Sequence, residues 1–304
     1  MKKIISMVMV LVVMRAVAQQ DAQYSLYMYN ALNVNPAYAG STPGATAGLL
    51  YRYQWLGIEG APKTLAANLN MRYAQEKLGT GISVINDRIG LFNRNQVQVA
   101  QSYQLRMEKW ILSFGLQAYL DQSSGAFSNA NFSSMGIQDA MFSNNITTTK
   151  INFGAGVYAY NNNFWFGYSM PHILKQQLTK ETVNNFSSTQ SIHQYVTAGY
   201  LWNINDTWQL KPSCLVKMHQ NTGIQTEMGA IAYYNKFLGA GVSYRNKDSF
   251  IGIVEFQMGN YARLLYAYDR TTSALGGFTT GSHEIMLKFF LSNSYRGQVS
   301  PRLF

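Results

Sequence analysis

The sequence predicts an all-β fold, namely a transmembrane outer-membrane β-barrel of about 14 antiparallel strands. Three observations predict it: short runs that alternate apolar and polar residues, a composition rich in aromatic residues and poor in charge, and connections that alternate in length. Because strand side chains point to opposite faces with period two, each run has one apolar and one polar side. A closed barrel sets the apolar sides in lipid and the polar sides around a lumen, and closure leaves no backbone group unpaired in lipid.

The alternation is clearest between Ser249 and Leu291. One face of the first run there carries only apolar residues and glycine, namely Phe250, Gly252, Val254, Phe256 and Met258. The other face carries Glu255 and Gln257, although Ile251 and Ile253 interrupt the pattern. Two later runs repeat the arrangement, with Arg263, Asp269, Glu284 and Lys288 on their polar faces.

Composition favours strands in a membrane over a soluble domain. The 304 residues include 21 Tyr and 16 Phe, and only 12% are charged, against about 25% in soluble domains. The single cysteine, Cys214, excludes an intramolecular disulfide and falls on the apolar face of a predicted strand. The formal charge of +10 is spread over many turns, which suits lipid headgroups and gives no concentrated nucleic-acid patch.

The first 18 residues are predicted to be a signal peptide. Lys2 and Lys3 form a charged start, Ile4 to Val13 form a short apolar run, and Ala16-Val17-Ala18 form a cleavage site. The apolar run is too short to span a bilayer as a helix. Cleavage leaves Gln19 as the mature N-terminus.

The remaining chain is divided into a lead-in segment (19–43), the barrel (44–291) and a C-terminal tail (292–304). Connections after odd-numbered runs tend to be long, and those after even-numbered runs are short. The long ones are Trp55–Lys63, Asp121–Thr149, Pro171–Ser191 and Thr271–Thr280. Bacterial barrels have short periplasmic turns and long external loops, which is the pattern of this parity, and an even number of strands predicts that both chain ends are periplasmic.

Four segments together resemble the PorP/SprF family of outer-membrane proteins of the type IX secretion system in Bacteroidetes. They are QDAQYSLYMYNALNVNPAYAGS (20–41), LLYRYQWLGIEGAPKT (49–64), GTGISVINDRIGLFNRNQV (79–97) and the closing VSPRLF (299–304). The resemblance implies a barrel of the secretion or gliding apparatus that helps to export large surface proteins, often adhesins, or to anchor them. The partners it implies are outer-membrane lipid, a secreted type IX substrate such as a large adhesin, and periplasmic secretion or motor components.

Two turn-rich segments are the candidate sites of partner contact. Asn35-Pro36 pins a turn in the lead-in, and glycines and a proline shape the loop from Trp55 to Thr64. The candidate contact residues are Asn35, Pro36, Tyr38, Gly40, Trp55, Gly57, Pro62 and Lys63. Two interpretations stay open, because these segments either plug and brace the barrel or recognise the partner directly. In the tail, Arg296 and Arg302 are candidates for a periplasmic partner or for headgroups.

We expect neither catalysis nor a cofactor. The four His residues have no metal-ligand spacing, and the sequence contains none of the G-x-S-x-G, H-E-x-x-H or phosphate-loop motifs. Polar residues of both signs are predicted to face the lumen, including Gln96, Gln98, Gln104, Lys211, Lys217, Arg263, Glu255, Glu284 and Lys288. This mixture favours a filled or plugged lumen. The main hypothesis is a non-enzymatic binding barrel, and the alternative is a channel for small or apolar solutes.

Overall fold

Fifteen strand segments form one antiparallel sheet that closes on itself. The computed structural model describes residues 23–126, 145–174, 192–219 and 223–291. The segments are β1 (Ala45–Tyr53), β2 (Lys63–Tyr73), β3 (Leu78–Ile89), β4 (Phe92–Arg106), β5 (Ile111–Gly125), β6 (Ile146–Tyr160), β7 (Phe164–Met170), β8 (His193–Tyr200), β9 (Trp202–Asn203), β10 (Trp208–His219), β11 (Gly223–Tyr234), β12 (Leu238–Arg245), β13 (Ser249–Met258), β14 (Ala262–Thr271) and β15 (Ser282–Phe290).

The closed sheet is a barrel of 14 strands, as predicted. Apart from β8 and β9, each segment pairs with its neighbours in sequence, and β15 pairs back onto β1 to close the ring. The segments β8 and β9 both pair with β10, and only Leu201 separates them, so they are two pieces of one strand. No helix in the described part of the chain is long and apolar enough to cross a membrane.

Burial alternates along the strands and gives the barrel an apolar outside. In β13, Phe250, Gly252, Val254 and Phe256 are exposed, whereas Ser249, Ile251, Ile253 and Glu255 are buried. The same holds around the single cysteine, because Cys214 faces outward while Ser213 and Leu215 face the lumen. The predicted assignment of faces is confirmed for both strands. Outward apolar side chains therefore meet lipid, and inward ones meet whatever fills the lumen.

Aromatic side chains collect where the strands end, as in the girdles of membrane barrels. Trp110 packs edge-on against Phe164 with ring centroids 5.6 Å apart, and Trp208 lies 5.1 Å from Tyr234. These residues share one end of the barrel. At the other end, Tyr244 lies 4.7 Å from Phe250.

The two rims of the barrel differ in their connections. One rim, here called the turn rim, carries the connections 74–77, 107–110, 161–163, 204–207, 235–237 and 259–261. The other, called the loop rim, carries the connections 54–62, 90–91, 126–145, 171–192, 220–222, 246–248 and 272–281. The connections that follow odd-numbered strands therefore lie on one rim, and those that follow even-numbered strands lie on the opposite rim.

One predicted loop is partly strand. Asp121–Gly125 and Ile146–Thr149 were expected to be irregular, but they extend β5 and β6 and pair in register from Asp121–Lys150 to Gly125–Ile146. The Ser and Thr residues there suggested a loop, yet Thr favours strands and a paired ladder satisfies the backbone beyond the membrane.

The described chain begins and ends at opposite rims. Gln23 donates from Nε2 to Oε1 of Gln225 (2.9 Å), which lies close to the loop-rim start of β11. The last strand, β15, ends at the turn rim at Phe290. The sequence predicts that both chain ends are periplasmic, and both ends lie outside the described residues. The predicted signal peptide (1–18), residues 19–22 and the tail (292–304) with Arg296 and Arg302 lie outside the described residues.

Candidate functional site

The lead-in segment lies inside the barrel. Residues 23–43, here called the plug, run from Gln23 at the loop rim to Gly40 at the turn rim, where Gly40 accepts a hydrogen bond from Arg72 Nε (2.6 Å). Leu26, Ala37 and Ala39 are completely buried. Two short 3-10 turns, Ala31–Asn33 and Pro36–Tyr38, fold the plug as it crosses the lumen. The lumen is therefore filled along its length by the chain itself.

Buried charges at the loop rim hold the start of the plug. Arg52 Nη1 lies 2.6 Å from Glu284 Oε2, and Arg52 Nη2 lies 2.8 Å from Asp269 Oδ2. The backbone N of Ser25 donates to Glu284 Oε2 (2.8 Å), and its hydroxyl donates to Asp269 Oδ2 (2.6 Å). Each carboxylate thus bonds both an arginine on the wall and the plug.

A second arginine completes this group. Arg245 Nη2 donates to Ser25 Oγ (3.1 Å), and Arg245 Nε donates to Glu227 Oε2 (2.8 Å). We call Ser25, Arg52, Arg245, Asp269 and Glu284 the clamp. Charges removed from water are costly unless they are paired and hydrogen-bonded, and Ser25 adds hydrogen bonds to the direct ion pairs of the clamp.

Another polar cluster holds the middle of the plug. The Tyr29 hydroxyl donates to Glu255, and Lys211 Nζ donates to the same hydroxyl at 3.2 Å and lies 4.5 Å from the Tyr29 ring centroid. Arg263 Nη1 lies 2.9 Å from Glu255 Oε1. Both signs of charge therefore meet on one tyrosine of the plug.

Apolar side chains on the lumen wall pack against the plug. Plug residues Leu26 and Tyr27 belong to one buried cluster with wall residues from several strands, including Leu50, Ile231, Ile251, Ile253, Leu265 and Met286. Ile251 and Ile253, which interrupt the alternation in the sequence, are 1% and 2% exposed. Full burial of such a side chain contributes about 1.5–3 kcal/mol, so these contacts stabilise the plugged state substantially.

Glycines on the wall allow the plug backbone to approach closely. A Cβ placed on Gly115 would lie 2.2 Å from Ala37 N, and one on Gly79 would lie 2.3 Å from Ala39 O. Side chains beside these glycines complete the contact, since Ser113 Oγ donates to the Ala37 carbonyl at 2.7 Å. We call Gly79, Gly81, Gly115, Gly156 and Gly167 the glycine track.

Four of the predicted contact residues lie on this track. Asn35 accepts a hydrogen bond from Ala37 N (2.9 Å) and donates to the Val157 carbonyl (2.9 Å), while Pro36 begins the second 3-10 turn. Tyr38 packs edge-on against Tyr158, with ring centroids 5.7 Å apart, and Gly40 has a φ of 66°. All four are buried, so in this state they brace the plug.

The other four lie on the loop rim. Trp55 has a φ of 52°, which is unusual for a residue with a side chain, and its N–H donates to Ser282 Oγ (3.0 Å). Leu56 N donates to the Gly281 carbonyl (2.8 Å), so the connections 54–62 and 272–281 are joined; together they are called the loop cap. Gly57 and Lys63 are exposed, and Pro62 is buried. The candidate residues thus divide into two groups at different depths.

Between the plug and one wall lies an open space at the loop rim, here called the vestibule. Its cavity volume is about 60 Å³, which is room for a few water molecules. Its lining is rich in amides and aromatic rings, including Gln23, Tyr24, Asn33, Gln96, Gln117 and Tyr195. It is bounded by β3, β4, β5, β8 and β10, across the lumen from the clamp residues of β1, β14 and β15.

Comparison with protein families matches residues 16–289 to the family described as type IX secretion system membrane protein PorP/SprF. The chain belongs to the PorP/SprF family. A comparison with curated proteins gave no match. This PorP/SprF protein is thus an outer-membrane barrel of the type IX secretion system, and the resemblance read from the sequence is confirmed.

Several solved outer-membrane barrels are similar to this PorP/SprF chain. The toluene transporter TodX of P. putida is 9% identical, with 86% of this chain and 93% of TodX covered and a TM-score of 0.49. Omp33 of Acinetobacter baumannii is 11% identical, with coverage of 82% and 99% and a TM-score of 0.47. The NanC porin is 14% identical, with coverage of 82% and 100% and a TM-score of 0.42.

Sequence reasoning did not single out Ser25, Arg52 or Arg245, although they form the centre of the clamp. One signal in the sequence pointed to the clamp. Arg52, Asp269 and Glu284 each lie near the end of a strand, at a position that faces inward. Their three strands, β1, β14 and β15, become neighbours when β15 closes on β1. Among the described residues, no group of three His, Cys, Asp or Glu side chains is placed to hold a metal ion.

Proposed function

We propose that this PorP/SprF protein binds an exported cell-surface protein, such as a large adhesin, or a secretion component, and holds it at the outer membrane without catalysis. The observation that carries the proposal is the plug. Because residues 23–43 fill the lumen and are fixed by the clamp and the glycine track, the barrel offers surfaces for binding in place of an open path for solutes. Membership of a secretion family supports a protein as the bound molecule.

We infer that the loop rim faces the cell exterior and the turn rim faces the periplasm. Long external loops and short periplasmic turns are the asymmetry of bacterial barrels. On this orientation Trp55, Gly57 and Lys63 lie where an exported protein reaches them. The tail with Arg296 and Arg302 follows β15 from the turn rim and is proposed to meet periplasmic components or inner headgroups.

The loop cap is the proposed contact surface. Phe278 is 75% exposed there, and its carbonyl lies beside Gly57. Aromatic residues, Phe among them, are enriched at protein interfaces, so Phe278 is the residue of the loop cap that we propose contacts the partner.

Affinity purification from detergent-solubilised outer membrane tests the proposal. We expect the tagged wild-type protein to recover an adhesin or a secretion component, and Phe278→Ala to recover at least several-fold less. Tyr261→Ala is the matched control, because Tyr261 is 66% exposed at the opposite rim. Recovery of the barrel alone, under conditions that preserve other outer-membrane complexes, contradicts the proposal.

A further inference from the structure

A row of basic and aromatic side chains crosses the closing seam on the outer face of the barrel, at the loop rim. Its members are successive cross-strand partners, namely Arg88 of β3, Lys63 of β2, Tyr53 of β1, His283 of β15 and Tyr268 of β14. Cross-strand partners share one face of a sheet, and these five all point away from the lumen. We call them the basic row. Arg270, two residues beyond Tyr268 on the same face of β14, extends it.

The basic row lies at the edge of the apolar band. Two positions closer to the middle of the barrel, the same outer face carries the exposed side chains of Leu65, Tyr51 and Ile285. These side chains meet hydrocarbon, so the row lies at the level of the lipid headgroups. Tyrosines and long basic side chains of membrane proteins collect at that level, because their apolar parts stay in lipid while their polar ends reach the headgroups.

The cations of the basic row receive no counter-charge from the described part of the chain. Lys63, Arg88 and Arg270 are exposed and form no ion pair there. The arginines of the lumen wall differ, since Arg52 pairs with Asp269 and Glu284. Lys63 and Arg88 are also directly opposite each other in the ladder, and like charges in that arrangement destabilise a sheet. An anion bound between the two side chains removes this repulsion.

The positive charge is confined to one sector of the loop rim. On the other side of the barrel, the outward positions near the loop-rim ends of β5, β6, β8 and β10 are uncharged, namely Gln122, Thr149, Gln194 and Met218. At the turn rim, exposed Arg106 is paired with Glu76. A general attraction to headgroups would not require this concentration, so the row has the character of a localised site.

The other charges of this sector leave the row basic. In the connection after β12, Lys247 adds a further exposed cation, and Asp248 is paired with Arg245 Nη1 (3.0 Å). Glu59 in the loop cap is exposed and, within the residues that the structure describes, makes no ion pair with the row. The ligand that complements this surface is therefore an anion.

An aromatic ring stands between the cations. Tyr53 separates Lys63 from His283 in the ladder, and Lys63 Nζ lies 4.8 Å from the centroid of its ring. The position of His283 is fixed in turn, because its Nδ1 and the Tyr266 hydroxyl are hydrogen-bonded at 2.7 Å. The row thus offers a flat apolar face beside its basic groups. A sugar ring packs its C–H groups on such a face, while a phosphate on the sugar reaches the cations.

We propose that the basic row binds a phosphorylated glycolipid of the outer leaflet, the lipid A part of lipopolysaccharide, with a phosphate between Lys63 and Arg88 and a sugar ring along Tyr53. A zwitterionic phospholipid fits less well, because it brings a cation of its own to unpaired cations. An acidic segment of the exported partner is disfavoured, because the row lies on the lipid-facing side of the barrel beside exposed apolar side chains. The inference rests on the orientation given under the proposed function, and it assigns Lys63 to lipid.

Native mass spectrometry of the full-length protein, titrated in detergent with defined lipids, tests the inference. The probes are phosphorylated lipid A, the same lipid A after removal of its phosphates, and phosphatidylglycerol. The wild-type protein is expected to bind phosphorylated lipid A most tightly. The double variant Lys63→Gln/Arg88→Gln removes both charges and is expected to weaken that binding about tenfold, because each basic residue near a membrane surface adds to the binding of anionic lipid.

Lys77→Gln/Lys109→Gln is the matched control, because both lysines are exposed in connections of the opposite rim. Heat-modifiable migration on gels verifies that both double variants fold, and the control is expected to bind phosphorylated lipid A as the wild-type protein does. Equal binding of phosphatidylglycerol or of lipid A without phosphates overturns the inference. Unchanged binding of lipid A by Lys63→Gln/Arg88→Gln also overturns it.

Recovery of an exported protein is measured separately and distinguishes this inference from the proposed function. A wild-type protein that recovers its partner but shows no preference for phosphorylated lipid A loses the lipid site and keeps the proposed function. A preference for phosphorylated lipid A that is lost in Lys63→Gln/Arg88→Gln, without recovery of any exported protein or secretion component, supports the lipid site and overturns the proposed function.

Discussion

Arg52 and Glu284 face each other across the seam where the last strand closes on the first, with 2.6 Å between Nη1 and Oε2. The same Glu284 carboxylate accepts the backbone N–H groups of Ser25 and Leu26. One ion pair therefore contributes both to the closing seam and to the attachment of the plug.

Arg52→Ala is expected to destabilise the barrel by about 3–5 kcal/mol, because it leaves Asp269 and Glu284 buried without their shared cation. The measurement is the temperature at which the folded band is lost on semi-native gels. Lys63→Ala is the control, since Lys63 is exposed and loses only a contact with the Tyr53 ring. An equal decrease in this temperature for the two variants would show that the buried ion pair contributes no more to stability than the exposed Lys63.

Gly115→Ala is expected to displace the plug, because the added Cβ would lie 2.2 Å from Ala37 N. Limited proteolysis of the purified barrel should cut within residues 23–43 faster than in the wild-type protein. Gly252→Ala is the control, because Gly252 faces outward with no atom within 4 Å of its added Cβ. Unchanged protection of the plug in Gly115→Ala would mean that the backbone contact is not tight.

Cys214 is expected to react with lipid-soluble reagents, because it lies on the outer face of β10. A spin label there should relax with oxygen dissolved in lipid and not with a water-soluble nickel chelate. Ser213→Cys in a Cys214→Ser background is the matched comparison, since Ser213 faces the lumen and is 7% exposed. If the label at residue 213 relaxed with oxygen and the label at Cys214 relaxed with the nickel chelate, the assignment of outward and inward faces in β10 would be wrong.

The orientation of the barrel predicts which connections antibodies reach on intact cells. An epitope inserted after Gly276, in the loop cap, is expected to be labelled from outside. The same epitope inserted after Asn260, in a turn-rim connection, is expected to be labelled only after the outer membrane is opened. Labelling of Asn260 insertions on intact cells would invert the proposed orientation.

The fold was predictable because it depends on local pattern. Alternation in β13 assigns Phe250 and Glu255 to opposite faces, and the structure confirms both. Ile251 and Ile253 could not be explained in that way, because their burial depends on Leu26 and Tyr27, which lie far away in sequence. The residues that pack against an inward apolar side chain are distant in sequence, so the local pattern does not reveal them.

The plug contacts were less predictable for the same reason. The sequence shows that Asn35-Pro36 forms a turn, and the structure has that turn. Its position on the glycine track depends on Gly79, Gly115 and Gly156, which come together only when four consecutive strands pair. A single sequence gives no distance between such residues.

The most direct test of a closed binding barrel is the conductance of the purified full-length protein in planar lipid bilayers. The intact protein is expected to be silent, and deletion of residues 20–43 is expected to give steady conductance, because that deletion empties the lumen. Both proteins should show the heat-modifiable migration of a folded barrel. A steady, large conductance from the intact protein would contradict the account and favour a channel for small solutes.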